Sequence, residues 1–312
     1  MANIEHLEVI KQGREAVQQW RSANRDIAPD LRGADLREID MYKMNLMGAN
    51  FEHANLSGAN LNGAYLNWAN FRGANLEGAN MTAALLREAL LSKANLRGAR
   101  LDYADLTGAI CNEVDFREAS LFATFRGTSL IQSDLRGANL RATDLADTKV
   151  LGVQFDNNMQ CRGVCAQNCT GSQRFVRHVL DLDYIEETKE KYPKRYKFWK
   201  WTSDCGRSWE RWAMLSVCIA VVFGTIYMCS LWWDNLPDVL KNVLPHLNFN
   251  VSEMDVSFFT PYYFSIVTFT TLGFGDITPL NLAGQVWLTL EVVFGYIMLG
   301  GLITLFATKM VR

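Results

Sequence analysis

The residues with the clearest potential for chemistry lie in one short stretch, Thr271-Leu272-Gly273-Phe274-Gly275-Asp276. Its two glycines stand two positions apart, and glycine adopts backbone angles that other residues avoid. The stretch therefore offers an unusual backbone rather than a reactive side chain. The sequence contains no arrangement of nucleophile, general base or phosphate-binding loop, so it predicts that the protein is not an enzyme.

Two apolar stretches flank this motif. The first, residues 213–233, carries no charged residue, and its 21 residues form a helix about 31 Å long, which matches the hydrocarbon core of a bilayer. The second, residues 282–308, is also long enough and carries one charged residue, Glu291. Both are predicted to be transmembrane helices, with residues 234–256 as the loop that leaves the first.

The segment between the two spans resembles the pore module of potassium channels. Residues 257–271 are predicted to form a short pore helix, and Thr-Leu-Gly-Phe-Gly-Asp at 271–276 resembles the Thr-Val-Gly-Tyr-Gly-Asp filter of that family. The order of span, short helix, glycine-rich loop and span is also the family's order. The resemblance covers about residues 213–308 and implies an α-helical two-transmembrane module with a re-entrant pore helix and filter loop.

This resemblance implies a role for each filter residue. Four chains would supply rings of backbone carbonyls that replace the water around potassium ions, and no organic cofactor is expected. With one loop per chain, the resemblance implies a homotetramer. The ring-forming residues would be Thr271, Leu272, Gly273, Phe274 and Gly275.

Other residues are expected to support the filter. Asp276 would hydrogen-bond Tyr263 of the pore helix, and Thr270 and Glu291 would brace the loop from behind. Val267 stands where some relatives carry a glutamate, and Leu272 and Phe274 replace the usual valine and tyrosine. A nonselective cation channel on the same scaffold is therefore the alternative to potassium selectivity.

Glycines in the second span allow two interpretations. By family position, Gly300 or Gly301 would be a gating hinge, because helix glycines bend readily. Close helix–helix packing through small residues is the alternative.

A five-residue period occupies residues 31–155. Its signature is Ala-Asn/Asp-Leu-x-x, as at Ala54-Asn55-Leu56 and Ala138-Asn139-Leu140, and its phase slips by one near Phe125. Such a period fits neither a helix face nor a strand face, so it indicates a repeat architecture. It resembles the pentapeptide-repeat family, which implies a right-handed quadrilateral β-helix with four repeats per coil. Residues 1–30, with an amphipathic stretch from Ile4 to Ala23, are the predicted helical cap.

The charge of the repeat region argues against a nucleic-acid function. Residues 31–155 contain 14 Asp or Glu and 13 Lys or Arg, with the two signs interspersed. A mimic of DNA needs a strongly acidic surface, and a nucleic-acid binder a basic one. We therefore expect a scaffolding or regulatory module with a cytosolic protein or ligand as its partner. A membrane-anchored scaffold whose pore is incidental is the third hypothesis for the whole protein.

The connector, residues 156–212, carries two further features. Cys161, Cys165 and Cys169 are a candidate zinc site, with Cys205 or His178 as a fourth ligand, although small buried residues near the end of the repeats are the alternative. Residues 189–212 mix eight basic residues with aromatic ones, which is typical of a membrane interface and predicts contact with anionic lipid.

The flanking charges also predict orientation. Basic residues precede the first span and follow the second, whereas the loop between them is acidic. Both termini, and the repeats with them, are therefore expected in the cytoplasm, with the protein in a plasma or inner membrane. The N-terminus shows no signal peptide, and the overall formal charge is only -2.

Overall fold

The computed structural model describes residues 2–232, 247, 249–251, 258–270 and 277–311. These residues form two compact units, Met1–Lys191 and Tyr192–Arg312. The first contains stacked coils with helices at both ends, and the second contains the apolar helices. The predicted multidomain fold, a quadrilateral β-helix followed by a two-transmembrane helical module, is confirmed.

Parallel bridges join each coil of the first unit to the next. Asp30 pairs with Asn50 and Asn50 pairs with Asn70, so one coil takes twenty residues, or four pentapeptides. The central residue of each repeat points inward, and Leu56 and Leu76 are completely buried. The polar residue before it points outward, which explains why the repeat alternates small, polar and large apolar side chains.

Asparagines build ladders along the outside of the coils. Asn95 donates its side-chain amide to Asn75 at 3.0 Å, and Asn75 donates to Asn55 at 3.3 Å. The Asn55 side-chain oxygen also accepts from the backbone N–H of Ser57 at 3.2 Å, which closes the turn. Asparagine thus suits this position for two reasons: its side chain hydrogen-bonds to the neighbouring coil, and it also accepts a backbone hydrogen bond that closes the turn.

Two register slips interrupt the twenty-residue spacing without breaking the ladder. Asp105 pairs with Thr124, nineteen residues on, because one residue is missing from the turn before Thr124. The irregularity predicted near Phe125 is confined to this turn. A compensating extra residue after Gln154 lengthens the spacing to twenty-one, and the coils continue to Thr170, beyond the predicted end at 155. The inserted residue shifts the apolar period and hides the last coil from the sequence pattern.

Helices cover both ends of the coils. The N-terminal segment forms two helices, α1 (Ile4–Lys11) and α2 (Arg14–Ala23), separated by Gly13, whose φ of 98° suits glycine. Ile10 and Val17 are buried against the first coil. At the other end α3 (Gln173–Lys191) buries Phe175, Val179 and Leu182 against the last coils.

The second unit contains four helices among its described residues. They are α4 (Pro193–Ser203), α5 (Trp209–Leu231), α6 (Thr260–Phe269) and α7 (Leu282–Val311). Two short strands, β1 (Phe249–Val251) and β2 (Ile277–Pro279), pair antiparallel. Within α5 and α7, residues 209–231 and 282–307 are long and apolar enough to cross a membrane, with mean hydropathies of 2.1 and 2.0. They overlap the predicted spans 213–233 and 282–308.

Candidate functional site

The short helix α6 packs between the two long helices. On the α5 side, Gly224 gives it room, because a Cβ there would lie 2.6 Å from the ring of Tyr262. On the α7 side, Gly295 does the same, because a Cβ there would lie 2.1 Å from the carbonyl oxygen of Phe269. Glycine at both positions lets the backbone of α6 approach its neighbours closely, which fixes where its C-terminal end lies.

A buried polar cluster ties the three helices together. Glu291 of α7 is completely buried, and Tyr227 of α5 donates its hydroxyl to the Glu291 carboxyl group at 2.6 Å. Ser265 of α6, also completely buried, hydrogen-bonds the other carboxyl oxygen of Glu291. The Ser265 hydroxyl oxygen also lies 2.7 Å from the carbonyl oxygen of Ala220 on α5. The carboxyl group predicted to brace the filter therefore joins α6 to both long helices.

The sequence pattern singles out only one member of this cluster. Glu291 was conspicuous as the only charged residue in its apolar stretch, whereas Ser265 and Tyr227 are common in apolar helices. A buried carboxyl group needs hydrogen-bond donors, and this rule is the only sequence-level indication of the other members. The rule predicts that partners exist, but not which hydroxyls supply them.

The predicted filter residues 271–276, including Asp276, lie outside the described residues. Helix α6 leads directly to them, because its C-cap is Thr270. The Thr270 hydroxyl donates to the carbonyl oxygen of Ile266 at 2.8 Å, within its own helix. Tyr263 is half exposed on α6, and its predicted bond to Asp276 stays a prediction. Beyond the stretch, β2 pairs with β1 and so anchors the chain as it leaves the motif.

The glycines of α7 differ in what surrounds them. A Cβ on Gly301 would lie 2.5 Å from the indole ring of Trp212, so this glycine makes room for a neighbouring helix. At Gly300, no atom of the described residues outside its own helix backbone lies within 4 Å of the corresponding point. Helix α7 runs unbroken through both residues. Packing therefore accounts for Gly301, and Gly300 is the candidate for a hinge.

The three candidate zinc ligands occupy different positions of the last coil. Cys161 is completely buried at an inward position, and Cys165 lies at an outward bridging position. Cys169 donates its thiol to the carbonyl oxygen of Leu145 at 3.0 Å, and His178 hydrogen-bonds the carbonyl oxygen of Asp156 at 2.9 Å. Among the described residues, no group of three or more His, Cys, Asp or Glu side chains could hold a metal ion. The spacing of four residues places the thiols on different faces of a five-residue repeat, so they do not converge.

The basic, aromatic segment forms α4 and the turn into α5. Arg195 lies over the ring of Tyr192 at 5.1 Å, and Lys200 lies over that of Tyr196 at 5.9 Å. Trp201 is 68% exposed, so a large apolar ring faces outward beside several cations. This composition suits the boundary between water and lipid.

Arginine–aspartate pairs neutralise much of the charge on the coils. Arg37 lies 2.7 Å from Asp35 and Arg136 lies 2.6 Å from Asp134, each pair within one pentapeptide. The hydrogen bond from Arg37 holds the pKa of Asp35 below its usual range, so the carboxylate stays charged and paired. Such local pairing places opposite charges side by side on the coils.

Comparison with protein families matches one family in the N-terminal part of the chain and another in the C-terminal part. Residues 214–312 match the family described as Ion channel. The family described as Pentapeptide repeats (8 copies) matches residues 30–63, 64–102, 99–124 and 123–157. Neither family consists of enzymes. Among the curated proteins, none matches the chain.

Solved structures similar to the chain are pentapeptide repeat proteins. HetL, from the cyanobacterium Nostoc sp. strain PCC 7120 and involved in heterocyst differentiation regulation, is 28% identical, with a TM-score of 0.30, over 46% of this chain and 73% of its own. A pentapeptide repeat protein of the Arabidopsis thaliana thylakoid lumen is 34% identical, with a TM-score of 0.30, over 31% of this chain and 68% of its own. A plasmid-mediated fluoroquinolone resistance protein, QnrB1, is 18% identical, with a TM-score of 0.31, over 49% of this chain and 95% of its own.

Proposed function

The chain is a membrane protein that joins pentapeptide repeats to an ion-channel domain, and from this premise we propose that it is a subunit of a potassium-selective homotetrameric channel. It conducts ions passively and is not an enzyme. The observation that carries the proposal is the course of α6. This short helix lies between two membrane-spanning helices, is fixed to both by Ser265, and ends directly before the filter sequence.

The position of α6 supports the conduction of cations. The C-terminal end of a helix carries partial negative charge, and the C-terminal end of α6 leads directly into residues 271–276. Gly273 and Gly275 let successive carbonyls point to one side, so four loops around an axis form rings of oxygens for potassium ions. Irregular backbone at membrane depth requires burial in protein, which the other three subunits supply.

Tyr263, Thr270, Asp276 and Glu291 support the filter in this proposal. Glu291 acts through Ser265, since both are completely buried and hydrogen-bonded to each other. Fixing α6 fixes the start of the loop, and ion selectivity depends on the positions of the carbonyls. Tyr263 lies on the same helix and braces the far end of the loop through Asp276.

Orientation follows from charge. Basic residues between positions 189 and 211 lie before α5 and in its first turn, so both termini and the coils lie in the cytoplasm of a plasma or inner membrane. The exposed rings and cations of α4 contact anionic lipid. The coils act as a regulatory or scaffolding module for a cytosolic protein or ligand, and their paired charges do not favour nucleic acid.

Electrical recording of the full-length protein in planar bilayers tests this function. We expect a reversal potential close to that of potassium in opposed potassium and sodium gradients, block by barium, and loss of current in Gly273→Ala. Native mass spectrometry should give four subunits. Equal permeability to sodium would instead establish a nonselective cation channel. Absence of current, with full biological activity in Gly273→Ala, would favour the membrane-anchored scaffold.

A further inference from the structure

Helix α7 contacts its neighbours along a single seam. Glu291, Gly295, Met298 and Gly301 follow one another at intervals of about one helical turn, and each meets α5 or α6. Gly300 lies off this seam, and no neighbouring atom in the described part of the chain lies within 4 Å of a Cβ placed on it. Met298, Leu299 and Leu302 line an apolar cavity of about 250 Å³ that α5 and α6 also border. Glycine at 300 is therefore not required for packing within the subunit, and there is space next to it.

Trp212 of α5 makes an unusual hydrogen bond to this seam. Its indole N–H donates to the backbone carbonyl of Met298 at 2.8 Å. In an α-helix that carbonyl also faces the amide of Leu302, four residues on. The bond is possible only because residue 301 is glycine, since a Cβ there would lie 2.7 Å from the indole nitrogen. The backbone carbonyl of Met298 thus has a second hydrogen-bond donor, at the turn that contains Gly300.

A second tryptophan of α5 contacts α7 on the C-terminal side of Gly300 and Gly301. Trp209, one turn earlier in α5, contacts the ring of Phe306 edge-on at 6.5 Å. Trp212 therefore binds α7 before Gly300, and Trp209 contacts it after Gly301. The start of α5 touches both segments that a bend at Gly300 would move relative to each other.

The second donor changes the cost of such a bend. Bending a helix at a glycine weakens the hydrogen bonds that cross it, and the bond from Leu302 to Met298 crosses Gly300. A carbonyl left without a donor inside a membrane protein is destabilising, because no water replaces the lost hydrogen bond. The indole of Trp212 keeps the Met298 carbonyl bonded while the bond within the helix is lost. The bent form is therefore less costly than in a helix without this tryptophan.

We propose that Trp212 is a positioning residue for gating. Its indole N–H binds the Met298 carbonyl while α7 bends at Gly300, and α5 thereby sets the equilibrium between the straight and bent forms of α7. This inference rests on the proposed function in one respect. A bend in α7 can alter conduction only if α7 borders the pore. The hydrogen bond and its effect on bending do not depend on what the pore conducts.

Single-channel recording of the full-length tetramer gives the first test. Trp212→Phe retains an aromatic ring but loses the N–H, and Gly300→Ala stiffens the helix at a site with space for a methyl group. We expect both to shift the open–closed equilibrium in the same direction, Trp212→Phe by roughly fivefold, with unchanged unitary conductance. Trp287→Phe is the matched control. Its indole nitrogen is buried without a hydrogen-bond partner in the described part of the chain, and its ring packs on Phe223 at 5.0 Å.

Hydrogen exchange in lipid nanodiscs gives a readout that does not need current. Because Trp212→Phe makes bending rarer, the amides of residues 300–303 should exchange several-fold more slowly than in the parent protein, and Trp287→Phe should leave them unchanged. Benzothienylalanine at position 212 replaces only the N–H with sulfur and should act like phenylalanine even where phenylalanine disturbs folding. Exchange that is unchanged or faster, or an open–closed shift opposite to that of Gly300→Ala, overturns the inference. A parent protein without current contradicts the proposed function alone.

Discussion

At the scale of single residues, the cluster of Tyr227, Ser265 and Glu291 shows how one buried carboxyl group can position a whole helix. Each partner comes from a different helix, and all three side chains are buried. Loss of one donor leaves a buried oxygen without a hydrogen bond. The resulting loss of stability is larger than the net stability that the hydrogen bond contributes. The cluster is therefore sensitive to changes of a single atom.

Tyr227→Phe removes one such atom, the hydroxyl that donates to Glu291. We expect the free energy of unfolding of the helical unit to fall by about 1–3 kcal/mol, because the second carboxyl oxygen loses its donor. Thermal denaturation in nanodiscs measures the change. Tyr296→Phe is the matched control, since Tyr296 lies on α7 and is 62% exposed. Equal effects of the two variants would contradict a special role for the cluster.

The thiols of the coils should differ in reactivity. Burial raises the pKa of Cys161 to about 12 and also raises the pKa of Cys111. Only the thiolate reacts with maleimides, so at pH 7.5 both residues should stay unlabelled in the folded protein. Cys165 is half-buried and should be labelled first. Peptide mapping by mass spectrometry before and after denaturation checks this. Fast labelling of Cys161 in the folded state would contradict its burial.

At the scale of elements, side chains close both ends of the coils. They accept backbone hydrogen bonds that a further coil would otherwise accept. In the middle of the stack, backbone N–H groups donate to carbonyls of the next coil, as Leu76 does to Asn95 at 2.7 Å. In the last coil the N–H of Gly163 donates instead to Asp183 of α3, at 2.8 Å. In the first coil the N–H of Asp30 donates to the His6 ring, at 2.9 Å. An open edge that could pair with another chain is thereby blocked.

Asp183→Ala should open the last coil. It removes the acceptor for Gly163 and the ion-pair partner of Arg162, which lies 3.3 Å away. We expect a loss of about 1–2 kcal/mol from the stability of the coil unit and faster hydrogen exchange at the amides of 161–163. Asp183→Asn retains an acceptor oxygen and should lose about half as much. Identical losses in both variants would assign the effect to charge rather than to the backbone bond.

The sequence predicted elements well where a regular period or an apolar stretch defined them. The twenty-residue coils follow from the repeat, and the two spanning helices follow from length and composition. The last coil was missed because one inserted residue after Gln154 shifts the period. The contact between Trp212 and Met298 was missed because residues 86 positions apart share no local pattern. Long-range hydrogen bonds depend on packing that periodicity does not describe.

At the scale of the whole molecule, the chain consists of two units with separate cores. Buried residues of the coils and of α1, α2 and α3 form one cluster, and the residues between α5, α6 and α7 form others. Units with separate cores unfold as separate cooperative transitions unless they are coupled. A regulatory module, however, must pass free energy to the module that it regulates. The degree of coupling is therefore the property that separates regulator from passive scaffold.

Calorimetry of the full-length protein should show two transitions. Leu76→Ala deletes a completely buried side chain of the coils and should cost about 2–5 kcal/mol, which lowers the first unit's Tm by roughly 5 °C or more. Tyr227→Phe should shift only the transition of the helical unit. Leu151→Ala, at a 58% exposed position of the coils, is the control and should shift neither.

Coupling would appear as a departure from this independence. If the coils only anchor a partner, Leu76→Ala leaves the helical transition and the single-channel open probability unchanged, because no free energy passes between the units. If they regulate the pore, a ligand that binds the coils raises their Tm and also shifts the open probability, by reciprocal linkage. A single merged transition that both Leu76→Ala and Tyr227→Phe lower equally would contradict the division into two cooperative units.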